Sequence, residues 1–170
     1  PEYYTDTDGN ARYEKGKCSL NESEHYLIIP SFSPENKPFG YHSAITANAA
    51  MDISAAKDVI NMYTEMLNYT KVDGYEQAVS EAEALLRMLP DFMYDESGAV
   101  KEWSMKEYGE NNAHRHISHL YPAWPALQTQ HDSKLASACR QAIINRNHEN
   151  KGKDDTASHG WIHKALVEAR

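Results

Sequence analysis

Two glutamates stand in local sequences that would suit an acid catalyst. The first, Glu35, lies in Pro30–Asn36, a Pro-Ser-Phe-Ser-Pro-Glu-Asn segment in which two prolines restrict the backbone. An acid catalyst must hold its proton in a fixed position relative to the reacting atom, and a restricted loop favours that. A structural interpretation competes with this one: Ser33 caps a short turn, and Glu35 stabilises the N-terminus of that turn.

The second glutamate, Glu102, is followed directly by Trp103. A carboxylate beside an indole ring loses hydration, which raises its pKa towards the range of a general acid. The indole would also suit stacking on a sugar ring. The competing interpretation is an exposed glutamate next to a tryptophan of the core, because most glutamates are solvated.

A cationic cluster follows in His114–Tyr121, where three histidines and one arginine fall within six positions. His116 and His119 would share a face if this segment were helical. Zinc is the obvious alternative, but no cysteine is near and no His-Glu-x-x-His pattern occurs. We therefore predict no metal and no other cofactor, and expect a hydrogen-bonding wall around a polyhydroxylated ligand.

The bulk composition excludes several classes of protein. The formal net charge of −8 argues against nucleic acid as a partner. No apolar run approaches 18 residues, so no membrane insertion is predicted. Cys18 and Cys139 are too few for a disulfide scaffold, and the sequence leaves open whether they pair. It gives no indication of the oligomeric state.

The elements that must position these residues are mainly helices. Apolar residues at spacings of three and four predict helices over about 52–69 and 75–88, a third from 132–133 and a fourth near 158. Asp52 is the predicted N-cap of the first helix. Residues 1–30 are predicted to be irregular with short strands. The segment 90–131 lacks periodicity, and a stretch of this length is usually functional.

Helices that alternate with long functional loops are typical of an α/α barrel. Four helices cannot close such a barrel. Both ends of the chain also look cut, since it begins at Pro1 and ends inside a predicted helix. We therefore expect residues 1–170 to be a fragment of one catalytic domain, mainly α, with a short β or irregular N-terminal segment.

Taken in order, these segments resemble the catalytic domain of glycoside hydrolase family 95, over about residues 24–170. The motifs that carry the resemblance are Pro30–Asn36, Ala50-Met51-Asp52, Glu102-Trp103, His114–Tyr121 and Gly160-Trp161. The sequence departs from the family pattern at Ala50, often Thr; at Tyr121–Pro125, usually a Tyr-Pro-Gly stretch; and at Ile162, commonly Ser.

The resemblance implies part of an (α/α)6 barrel and an inverting, metal-free hydrolysis of terminal α-L-fucosyl residues, α-1,2-linked in fucosylated oligo- or polysaccharides. It implies that Glu35 is the general acid, with Glu102 as the second choice. The residues expected to bind the sugar are Asn36, Trp103, Arg115, His116 and His119. The water-activating asparagines and their partner aspartate would lie outside this chain. A secreted or periplasmic location is expected from the family.

Two other functions stay open. An α-L-galactosidase on the same fold would differ in a few pocket residues, since L-galactose adds one hydroxyl at carbon six. A non-catalytic helical module would bind glycans or proteins without cleaving them. The isolated fragment is expected to be inactive, because the base side of the reaction is missing from it.

Overall fold

The computed structural model describes residues 1–150 and 158–170, and of residues 158 and 159 it describes only the backbone. This described part is mainly helical, as the sequence pattern predicts. It contains the helices α1 (Ala50–Thr70), α2 (Tyr75–Arg87), α3 (Ser133–Asn150) and α4 (Ser158–Glu168). No helix in it is both long enough and apolar enough to cross a membrane.

Short strands occupy the N-terminal part of the chain. They are β1 Tyr3–Thr5, β2 Ala11–Tyr13, β3 His25–Tyr26, β4 Ser31–Phe32 and β5 Ile45–Thr46. The first three form an antiparallel sheet of order β2-β1-β3, and the last two pair with each other. The pairing of β4 with β5 brings the start of the Pro30–Asn36 segment against the segment that leads into α1.

The predicted N-cap of α1 is wrong. Ala49 occupies the N-cap position and makes no side-chain cap. The carboxylate of Asp52 accepts hydrogen bonds from the hydroxyl of Ser31 at 2.5 Å and from the backbone N–H of Phe32 at 3.2 Å. The Asp52 carboxylate therefore binds strand β4 and does not cap the helix. These two hydrogen bonds connect the Pro30–Asn36 segment, which we call the Glu35 loop, to the first turn of α1.

The hydrophobic core lies between α3 and the long segment 90–131. Leu135, Cys139, Ala142 and Ile143 of α3 belong to one buried cluster, which also contains Val100, Ile117 and Leu120 from the long segment. Asp132 caps α3, because its carboxylate accepts the N–H of Leu135 at 2.9 Å. The segment without periodicity is thus fixed by packing on a regular helix.

The two cysteines are not paired. Cys18 is an exposed free thiol and Cys139 is a buried one. Burial raises the pKa of the Cys139 thiol to about 12, so this side chain behaves as a small apolar core residue.

Candidate active site

Glu35 lies on the rim of a cleft of about 260 Å³. Its carboxylate is 62% exposed and forms an ion pair with the guanidinium of Arg115. Nε2 of His116 lies 3.6 Å from the same carboxylate oxygen. The structure therefore brings together the preferred acid and the Arg-His pair, although 80 positions separate Glu35 from Arg115.

Aromatic side chains also line the cleft. Trp124 and His163 are two of them, and their ring centroids are 4.8 Å apart at an interplanar angle of 42°. Met51 and Tyr121 line it as well. A cleft lined by a carboxylate, by hydrogen-bonding side chains and by aromatic rings suits a ligand with both hydroxyls and an apolar face, such as a sugar.

Glu102 lies in a different environment from Glu35. Its side chain is 0% exposed, and its carboxylate accepts hydrogen bonds from Ser33 at 2.7 Å, Asn36 at 2.5 Å and Arg146 at 2.9 Å. Burial opposes ionisation, but the charge of Arg146 and these donors outweigh it, so the pKa of Glu102 lies below its ordinary value. Glu102 is therefore a buried, ionised acceptor without access to the cleft.

Three of the five predicted sugar ligands are buried as well. Asn36, Trp103 and His119 have almost no solvent-accessible surface. The Trp103 ring meets Tyr108 edge-on, with 6.3 Å between centroids. Neither residue of the Glu102-Trp103 pair lines the cleft, whereas Trp124, to which no sugar contact was assigned from the sequence, presents an indole there.

His119 is held neutral inside the protein. Its Nδ1 lies 3.3 Å from Nη2 of Arg146, and because a guanidinium can only donate, Nδ1 is the acceptor. Burial first, and then the charge of Arg146, lower the pKa of His119 to about 3 although Glu102 opposes the shift. Nε2 therefore carries the proton, and it has no hydrogen-bond partner within residues 1–150 and 158–170.

Arg146 is the residue that the motifs missed. It lies on α3, its side chain is fully buried, and it contacts Glu102, His119 and the backbone oxygen of Asn111. A signal for it exists in the sequence. Arg146 continues the apolar stripe of α3 by the spacing of three from Ile143, and a charge on the buried face of a helix requires a buried partner.

Glu110 is a second missed carboxyl group. One of its oxygens accepts the backbone N–H of Glu102 at 2.9 Å, and the other is buried without a hydrogen-bond partner in the part of the chain that is described. Burial and the neighbouring charge of Glu102 raise the pKa of Glu110 to about 7, although the bond from that N–H opposes the shift. It does not line the cleft.

Among the described residues, no group of three or more His, Cys, Asp or Glu side chains is arranged to hold a metal ion. The rings of His114 and His116 contact each other edge-on, with centroids 5.4 Å apart. The cluster in His114–Tyr121 is thus divided: Arg115 and His116 reach Glu35, and His119 lies in the interior.

The chain is similar in sequence to known proteins. Residues 3–170 match the family model of the glycosyl hydrolase family 95 catalytic domain. The chain is also similar to alpha-L-fucosidase 2 of Arabidopsis thaliana, with 25% identity over 134 residues. That alignment covers 75% of this chain and 16% of the relative, so the chain spans a minor part of the relative's length.

Proposed function

This chain belongs to the glycosyl hydrolase family 95 catalytic-domain family, and on that premise we propose that the protein hydrolyses terminal α-L-fucosyl residues of glycans. The name of the Arabidopsis relative supports a fucoside as the substrate. The α-1,2 linkage, the inverting course and an (α/α)6 barrel completed by other parts of the protein belong to the same proposal.

One observation carries the proposal: of the two candidate glutamates, Glu35 alone faces the cleft, next to Arg115 and His116. General acid catalysis requires a carboxyl group within hydrogen-bond reach of the leaving oxygen. Glu102 fails this requirement, because it is fully buried and its oxygens are occupied by Ser33, Asn36 and Arg146.

In the proposed mechanism, the sugar lies in the cleft beside Glu35, His116 and Trp124. Its hydroxyls accept hydrogen bonds from Arg115 and His116, and its apolar face packs against Trp124. When a sugar hydroxyl accepts the hydrogen bonds of the Arg115 guanidinium, Glu35 is released from its ion pair and takes up a proton from solvent. Glu35 then donates this proton to the glycosidic oxygen as the bond from that oxygen to the sugar carbon breaks, while a base outside residues 1–170 takes a proton from the water that attacks the opposite face of the ring.

The test is Glu35→Gln in the complete enzyme, assayed on two substrates. A fucosyl-α-1,2-galactoside has a poor leaving group, and we expect its kcat to fall by about 10²–10⁴-fold, the usual contribution of a general acid. The 2,4-dinitrophenyl α-L-fucoside needs no protonation to leave, so its kcat should fall far less. Glu96→Gln, which changes an exposed glutamate on a turn, is the matched control.

Three results would contradict parts of this proposal. An unchanged rate of Glu35→Gln on the fucosyl-galactoside would remove Glu35 as the acid. Proton NMR that detects the α anomer of L-fucose as the first product would exclude inversion. Faster release of L-galactose than of L-fucose from paired synthetic substrates would make the enzyme an α-L-galactosidase, and binding without release of either sugar would indicate a non-catalytic module.

A further inference from the structure

The buried ion pair of Glu102 and Arg146 joins two loops, one that carries Glu35 and one that carries Arg115 and His116. We propose that this pair is the positioning device of the site: it holds Glu35 in register with Arg115 and His116. The inference rests on the proposed role of Glu35 as the acid.

The first loop is anchored on both sides of Glu35. Ser33, two residues before it, donates to one oxygen of Glu102 at 2.7 Å, and Asn36, one residue after it, donates to the other at 2.5 Å. Ser33 and Asn36 are buried, whereas the Glu35 carboxylate is exposed to the cleft. One carboxylate thus fixes the ends of a four-residue stretch, and the catalytic side chain projects from the middle of it.

The second loop is anchored through Arg146. Its guanidinium donates to the backbone oxygen of Asn111 at 3.2 Å and approaches Nδ1 of His119 to 3.3 Å. Arg115 and His116 lie between these two contacts in the chain. Asn111 also donates to the side-chain oxygen of Asn36 at 3.0 Å, which links the two loops directly.

The cost of burying this pair indicates a role beyond stability. Glu102 and Arg146 lose their hydration because neither is exposed to solvent, and apolar residues of similar volume often stabilise a fold equally well or better. An ion pair differs from apolar residues in that it fixes the orientation of its partners, because each of its hydrogen bonds requires a definite geometry. Supporting bonds of this kind keep a catalytic group within about 0.5 Å of its productive position.

The pair is not itself catalytic, since neither side chain reaches the cleft. It acts through Glu35, so its loss should lower kcat only on a substrate whose leaving group needs protonation, whereas a displaced Arg115 or His116 would raise KM for both substrates. This expectation separates positioning from a merely structural role. A structural defect lowers the concentration of folded enzyme and therefore lowers the rate on every substrate in the same ratio.

The experiment compares Glu102→Gln and Arg146→Lys in the complete enzyme on the fucosyl-galactoside and on the dinitrophenyl fucoside. A displacement of about 1 Å costs about 10²-fold in rate, so we expect kcat on the fucosyl-galactoside to fall by at least tenfold. On the dinitrophenyl fucoside, kcat should change by less than threefold. Equal losses on both substrates, or no loss on either, would overturn the inference.

Lys101→Met is the matched control. Lys101 is the chain neighbour of Glu102 and is also buried, but its ammonium donates to the backbone oxygen of Met105 at 2.6 Å and does not contact the Glu35 loop. This variant removes a buried charge at nearly the same place. The ratio of its rates on the two substrates should therefore equal that of the parent enzyme. If Glu102→Gln fails to fold, Arg146→Lys, which keeps the charge, supplies the measurement.

A double variant separates this inference from the proposed function. If Glu102 acts through Glu35, Glu35→Gln combined with Glu102→Gln should be no slower on the fucosyl-galactoside than Glu35→Gln alone, whereas independent effects would multiply. If Glu35→Gln loses as much kcat on the dinitrophenyl fucoside as on the fucosyl-galactoside, the proposed acid is wrong. If Glu35→Gln loses kcat mainly on the fucosyl-galactoside and Glu102→Gln does not, only the positioning role is wrong.

Discussion

Replacement of Glu110 by Gln should stabilise the protein above neutral pH and leave it unchanged in acid. Glu110 has one carboxylate oxygen bonded to the N–H of Glu102 and the other buried without a hydrogen-bond partner among the described residues. Gln keeps an acceptor for that N–H and carries no charge. The variant therefore removes the cost of ionising this group inside the protein.

The size of the effect follows from the pKa of Glu110, which is raised from 4.5 to about 7 by burial and by the charge of Glu102. A raised pKa of a carboxyl group means that the folded state loses stability as the pH rises. The loss begins near the unfolded pKa of 4.5 and is complete just above pH 7. A difference of about 2.5 pKa units corresponds to about 3 kcal/mol at pH 8, and to almost nothing below pH 4.5.

The assay is urea denaturation of the complete protein at pH 5 and pH 8, followed by tryptophan fluorescence. Glu110→Gln should raise the urea midpoint at pH 8 and have little effect at pH 5. The control is Glu107→Gln, which changes an exposed glutamate three positions earlier. Its urea midpoints at pH 5 and pH 8 should differ by as much as those of the parent protein. A Glu110→Gln variant no more stable than its parent at pH 8 would refute the assignment of an ionised Glu110 with one buried, unpaired carboxylate oxygen.

Two further predictions concern Arg115 and Trp124, which we propose to contact the sugar. Arg115→Met should raise KM for the fucosyl-galactoside by about 10–100-fold, because a charge-assisted hydrogen bond contributes about 1.5–3 kcal/mol; an unchanged KM would remove Arg115 from the sugar site. Trp124→Ala should raise KM by about 2–10-fold, from the 0.5–1.5 kcal/mol of a ring contact, as measured by steady-state kinetics. Trp103→Phe is its control and should lower the melting temperature without changing KM, since Trp103 is fully buried; the reverse pattern would make Trp103 the sugar contact.

The helices could be predicted from the sequence because their information is local. Spacings of three and four predict α2 to within one residue of its observed end, and they predict the start of α3, where Asp132 caps the helix. The N-cap of α1 could not be predicted in this way. Asp52 has the right residue type, but a strand 20 positions earlier in the chain takes its carboxylate.

The environments of Glu35 and Glu102 could not be predicted either, because they too depend on partners that are distant in the sequence. The indole of Trp103 suggested a raised pKa for Glu102, the property of an acid. The partner that reverses this effect is Arg146, which is 44 positions away and comes close only when α3 packs on the long segment. Desolvation by an adjacent tryptophan is visible in the sequence, whereas compensation by a distant charge is not.

The Pro30–Asn36 segment acquires a physical explanation that neither of its first interpretations contained. Ser33 suggested the cap of a short turn, but its hydroxyl donates to Glu102. Asn36 suggested a sugar ligand, but its amide donates to the other oxygen of the same carboxylate. The polar residues on either side of Glu35 thus point inward as anchors, and the one residue between them that can carry a proton points to the cleft. Two carboxylates of the same chemical type therefore have opposite environments, because Glu102 accepts several hydrogen bonds in the interior and Glu35 is exposed at the cleft.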